Sequence, residues 1–242
     1  MIASNESRLP RRQFTTVFLL SLGVLMFQIA LGRIFSFTIW YHFAYISVSL
    51  ALLGFGASGS MLAAFPGLAG RSIDRTIGIC CACCAVAALL VLLVVGGVPL
   101  SPFDVLKSPT QFATLVLYFA AVCLPFFFAG LAITIALQAA GREVHRLYAW
   151  DLAGAGAGCA LVVTCIDQLE TPRVLLLVAV IFAVAGVIAA GGRATRRTRN
   201  FNLVLAVVLL ALVGPLPMKL PFIPSRDKDI YVAMLVPWNC GS

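Results

Sequence analysis

Residues 54–59 read GFGASG, which matches G-x-G-x-x-G letter for letter. Asp74 lies 20 residues past the first glycine, near where a dinucleotide site carries its ribose-binding acid. A genuine match would make the chain a soluble α/β enzyme. Glycines placed for helix packing would make it a membrane bundle. The fingerprint works only between a strand and a helix, where the pyrophosphate meets the helix N-terminus. Here the glycines sit in a 37-residue stretch, 34–70, that holds no Asp, Glu, Lys or Arg, and Asp74 belongs to the basic loop beyond it. That context argues against a nucleotide. Small residues in an uncharged helix instead let backbones approach each other within lipid. Gly54 and Ser58 form a small-xxx-small pair, as do Gly56 and Ser60, with Gly59 alongside.

The rest of the chain supports that reading. Stretches 13–32, 76–103, 108–141, 174–192 and 200–218 are also free of charge. The 242 residues are 62% hydrophobic and 11% charged, with a mean hydropathy of +1.04. A soluble domain carries about 25% charged residues. Since about 20 apolar residues cross the hydrocarbon, the pattern predicts an all-α polytopic transmembrane bundle of about seven spans. They fall near 14–32, 43–65, 76–98, 112–138, 147–166, 174–192 and 201–216. The bundle is expected to occupy 1–216, with a short tail, 217–242, that could begin a further soluble domain. The first span is longer than a signal-peptide core and lacks a small-x-small cleavage site, so it is expected to be retained.

The net charge of +8 does not indicate nucleic acid, because of where the charge sits. Arg8, Arg11, Arg12, Arg71, Arg75, Arg142, Arg146, Arg193, Arg196, Arg197 and Arg199 all flank alternate span ends. The opposite short loops hold Arg33, Lys107 and Arg173. This positive-inside asymmetry predicts a cytoplasmic N-terminus. Seven spans would leave the tail outside, although Lys219, Arg226 and Lys228 pull the other way.

The fifth span repeats the small-residue chemistry. LAGAGAGCA, residues 152–160, sets Gly154 and Gly158 four apart, with Gly156 between them. Spans two and five are therefore expected to pack against each other or against a shared neighbour. The fifth span also contains Asp151, about one turn into the expected helix. An acid at a span centre costs about 2.5–3.5 kcal/mol on insertion scales and favours a protein interior. Near a helix start the dipole offsets part of that cost. Asp151 reads either as part of a polar path or as an interfacial acid paired with Arg146 or His145. Trp40, Tyr41 and His42 read as an interfacial aromatic belt, or with Arg33 as an outer vestibule.

CCACC, residues 80–84, presents two overlapping C-x-x-C spacings, yet one helix cannot wrap four thiolates around a tetrahedral metal. No metal or cofactor is expected. Pro125 removes a backbone donor inside span four and is expected to kink it. No strong internal repeat is visible.

Two stretches carry a family resemblance. LGRIFSFTIWYHFAYISVSLALLGFGASGS (31–60) and RLYAWDLAGAGAGCALV (146–162) resemble the membrane region of bacterial spermidine synthase-like membrane proteins. That family joins a polytopic bundle to an aminopropyltransferase domain. Its glycine-rich end of span two corresponds to Gly54, Gly56 and Gly59, and its Tyr-x-x-Asp-Leu-x-Gly motif to Tyr148, Asp151, Leu152 and Gly154. The resemblance spans 14–190 and implies the membrane half without the catalytic domain. No catalytic residue carries over.

The leading expectation is a non-catalytic membrane module, with the bilayer and a soluble enzyme or other membrane subunits as partners. The alternative is a small transporter or channel for a cationic or polar solute, its path using Tyr148, Asp151, His42 and Arg33.

Overall fold

The computed structural model describes residues 9–38, 41–65, 67, 72–97, 109–192 and 195–213, with the backbone alone at 37–38 and 41–44. The tail, 217–242, lies outside them, as do Trp40, Arg71, Lys107 and Arg193. Among the described residues the regular structure is helical. The helices are α1 (Arg11–Thr38), α2 (Tyr41–Ala64), α3 (Ile73–Gly97), α4 (Pro109–Ala140), α5 (Val144–Gln168), α6 (Thr171–Ala189) and α7 (Arg196–Val213).

Five helical runs are long and apolar enough to cross a membrane: Arg11–Ser36, Tyr45–Ala64, Ile73–Gly97, Pro109–Gln168 and Thr171–Ala189. The 60-residue run Pro109–Gln168 contains both α4 and α5. Thr134 of α4 and Asp151 of α5 line one cavity, whereas a straight helix would hold residues 17 apart at about 26 Å. The chain therefore folds back at the short 3₁₀ turn Gly141–Glu143. Gly141 permits this with a φ of +50°, a conformation that costs an L side chain about 1–2 kcal/mol. Nothing lies within 4 Å of a Cβ placed there. Gly141→Ala is therefore expected to lose about 1 kcal/mol from backbone strain alone, measured by denaturant unfolding in mild detergent. α7 does not meet the span criterion: its first turn carries Arg196, Arg197 and Arg199. The count of about seven spans is thus not established by the helices themselves.

GFGASG lies inside α2, with no strand before it, so the dinucleotide geometry is absent. Asp74 is not in a loop. It sits in the first turn of α3, where it accepts from Arg12 and, at 2.6 Å, from Gln13 Nε2, both on α1. These bonds clasp α3 to α1.

α1 is the central post and touches α2, α4, α5 and α6. α3 fits between α4 and α6, α2 packs on α4 and α1, and α7 lies against α6 and α3. The core joins these helices through large side chains. Phe27 of α1 meets Phe126 of α4 edge-on at 5.5 Å between ring centroids, and Phe182 of α6 covers Gly23 of α1. Pro125 is buried within a continuous α4, and its carbonyl accepts from Cys84 Sγ of α3 at 3.0 Å. The outward faces are apolar too: Leu52 is 70% exposed, Leu53 60%, Leu93 62% and Val204 63%. Large apolar side chains exposed on several helices suit a lipid surround, as do the five span-length runs.

Candidate functional site

The site grows from the seam between α1 and α5. Leu147, Gly154, Gly158 and Val162 are the buried residues of α5. Their spacings of seven, four and four keep them on one face, and Asp151, four past Leu147 and three before Gly154, belongs to the same row. The glycines bring the two backbones together. A Cβ on Gly154 would fall 2.2 Å from the Phe18 carbonyl oxygen, and one on Gly158 would fall 2.4 Å from that of Leu22. Ser21 lies between those two α1 residues. At so short a helix separation its hydroxyl reaches across and donates to Asp151 Oδ1.

Among the described residues Asp151 is thus held by Ser21 rather than by a cation. Arg146 pairs with Glu143 at 3.4 Å instead and lies 5.8 Å from the Phe14 ring centroid. α5 also begins at Val144, so Asp151 sits two turns in. The dipole benefit is confined to about the first turn and does not account for the acid. Hydrogen bonding and a cavity do.

That cavity has a volume of about 360 Å³ and is bounded by α1, α2, α4 and α5. Ser21, Gln28, Thr134 and Asp151 are its polar lining, and Phe55, Leu52 and Ile133 are among its apolar walls. One carboxylate has room for about four hydrogen bonds, so Ser21 leaves acceptor capacity at the cavity. Mostly apolar walls with a few convergent polar groups characterise small-molecule sites.

The expected polar path is only partly assembled. Asp151 lines the cavity, but Tyr148 is 52% exposed on the outside of α5 and does not. Arg33 is exposed on α1, 12 residues from Ser21 and so about 18 Å along the helix. The His42 side chain lies outside the described residues. Ser21, Gln28 and Thr134 are lining residues that the sequence did not single out. A lone Ser or Thr in an apolar span carries no distinguishing pattern. Gln28, a polar amide inside a charge-free stretch, was the available cue.

The small-residue positions divide sharply. Gly54 backs onto α4, where a Cβ would lie 2.8 Å from Phe126 Cβ and 2.9 Å from the Cys123 carbonyl oxygen. Ser58 is buried, donates to the Phe55 carbonyl at 2.7 Å and faces Gly130 of α4. Gly56, Gly59 and Gly156 have open space where a Cβ would stand, with nothing within 4 Å. The glycine face of α2 therefore meets α4 and that of α5 meets α1, rather than each other or one shared helix. Among the described residues, no group of three His, Cys, Asp or Glu could hold a metal ion. Cys80, Cys81 and Cys84 are buried in α3.

In comparisons with known proteins, no family model, no curated protein and no solved structure matches the chain.

Proposed function

We propose that this protein is an integral membrane bundle that binds a small organic cation at the Asp151 cavity and passes it across the bilayer. The observation that carries the reading is a carboxylate, held by one serine, on the wall of a largely apolar cavity among four helices. Such a site suits an amine with an apolar body: the carboxylate takes the ammonium and the walls take the methylenes. The resemblance to spermidine synthase-like membrane proteins adds polyamines as a substrate class. The proposed topology has seven spans, with α7 as the last, and a cytoplasmic N-terminus in a bacterial inner membrane. The basic residues at alternate helix ends support it.

The test is uptake of radiolabelled spermidine and hexylamine into liposomes containing the protein. Losing a hydrogen bond to a charged partner costs about 1.5–3 kcal/mol. Asp151→Asn is therefore expected to cut uptake about tenfold or more while the protein stays monodisperse. Uptake equal to protein-free liposomes would defeat passage, and wild-type uptake by Asp151→Asn would defeat the site.

A second reading is a non-catalytic module that anchors or partners a soluble enzyme or another membrane subunit. The exposed side chains of α2, Tyr45, Val48, Leu52 and Leu53 among them, favour it by offering apolar surface to a further helix. No uptake together with a stoichiometric membrane partner in mild-detergent pull-downs would select this reading.

A further inference from the structure

A second cavity, of about 510 Å³, lies on the other side of the bundle, where α3, α4 and α7 form an outward groove. Arg75 of α3 and Arg197 of α7 stand at one end of it. The remainder is apolar, with Ile79, Val86 and Leu90 of α3 facing Phe128 of α4. Arg75, Ile79, Val86 and Leu90 recur at helical spacing on one face. From Arg75 to Leu90 the groove follows α3 for about 22 Å, longer than one leaflet's share of a hydrocarbon core of about 30 Å.

The charge at the arginine end is not neutralised among the described residues. The nearest acid in sequence, Asp74, is taken by Arg12 and Gln13. Neither the Arg75 nor the Arg197 guanidinium has an ion pair or hydrogen bond among the described residues. Two guanidiniums above a long apolar trough complement one ligand chemistry: a phosphate ester with an attached hydrocarbon chain. Guanidinium forks match phosphate oxygens, and basic pockets between membrane helices hold anionic headgroups.

We propose that this groove is a specific site for one anionic phospholipid, with its phosphate between Arg75 and Arg197 and an acyl chain along Ile79, Val86 and Leu90. The inference rests on the bilayer reading of the helices and is independent of the Asp151 cavity. The lipid would bridge α3 to α7, the helix with the most basic first turn, and fix α7 against the bundle.

The test is native mass spectrometry of the delipidated protein titrated with phosphatidylglycerol or phosphatidylcholine in neutral detergent. Phosphatidylglycerol is expected to bind at least tenfold more tightly. Arg75→Gln/Arg197→Gln should lower its affinity at least tenfold, and Val86→Trp, which fills the trough, should do the same. Arg11→Gln, an exposed arginine at the N-terminal end of α1, should not change it. Both arginines are exposed, so the double variant should elute from size exclusion as wild type does. Equal affinity for the two lipids, or an unaffected double variant, would overturn the headgroup site. An unaffected Val86→Trp would overturn the groove. Displacement of the lipid by millimolar inorganic phosphate would show a free-anion site and overturn the lipid assignment.

Discussion

Gly154→Val is expected to separate α5 from α1 and to be among the most damaging single substitutions in the chain. Even the first added carbon would fall 2.2 Å from a backbone carbonyl oxygen, that of Phe18. Backbone cannot rotate aside as a flexible side chain can, so the helices must part along the whole seam. Overpacking of a tight interior costs about 1–3 kcal/mol and occasionally more, and the valine's further branching places this variant at the upper end. Gly158→Val should behave alike, since its first carbon would fall 2.4 Å from the Leu22 carbonyl oxygen. Gly156→Val, two residues away with open space around it, should change stability by about 0.5 kcal/mol or less. Denaturant titration of the detergent-solubilised protein would compare the three. Equal destabilisation by all three would mean the α1–α5 seam is not the site of close approach. Because the seam presents Asp151 to Ser21, Gly154→Val should also abolish cation uptake, whereas Gly156→Val should preserve it.

The second large effect is expected at Gly186 of α6, which accommodates Asn202 of α7. Asn202 is fully buried. Its Nδ2 donates to the Gly78 carbonyl of α3 and to the Thr198 carbonyl of α7, both at 3.0 Å. A Cβ on Gly186 would lie 2.2 Å from Asn202 Oδ1. Gly186→Ala must therefore expel the amide and break its bond to α3, leaving buried polar groups unpaired. Each such group costs about 1–3 kcal/mol, so a loss of about 2–4 kcal/mol is expected. Asn202→Ala removes the obstructing amide. The double variant Gly186→Ala/Asn202→Ala is expected to be more stable than the two single losses added together, with a coupling of at least about 1 kcal/mol. Additive losses in that cycle would show that the two residues do not share one space.

The helices were legible because the uncharged stretches are long and each is bounded by a charged residue. The expected fourth span, 112–138, lies within Pro109–Ala140, and the expected third, 76–98, nearly coincides with Ile73–Gly97. Asp151 was legible as an anomaly, a lone acid in a run of small apolar residues. The start of α5 was not, because 141–146 is polar and charged and reads as a loop, yet its residues continue the helix back to Val144. The pairing of Asp151 was lost with it. Arg146 and His145 are near in sequence, whereas Ser21 is 130 positions away.

The glycines mark the boundary between the two kinds of information. Helical periodicity alone dictates that Gly154 and Gly158 share a face and that Gly156 points elsewhere. It does not say which face turns inward, nor which helix waits there. In GFGASGS, residues 54–60, either Gly54 with Ser58 or Gly56 with Ser60 could have met a neighbour, and local sequence treats them alike. Only the three-dimensional arrangement chose Gly54 and Ser58 for α4 and left Gly56 and Ser60 outside. Composition and charge spacing determined that this chain is a bundle of apolar helices, because each segment's solvent preference is a local property. The Asp151 cavity and the arginine-topped groove were decided by tertiary packing, because each is made by helices far apart in the chain.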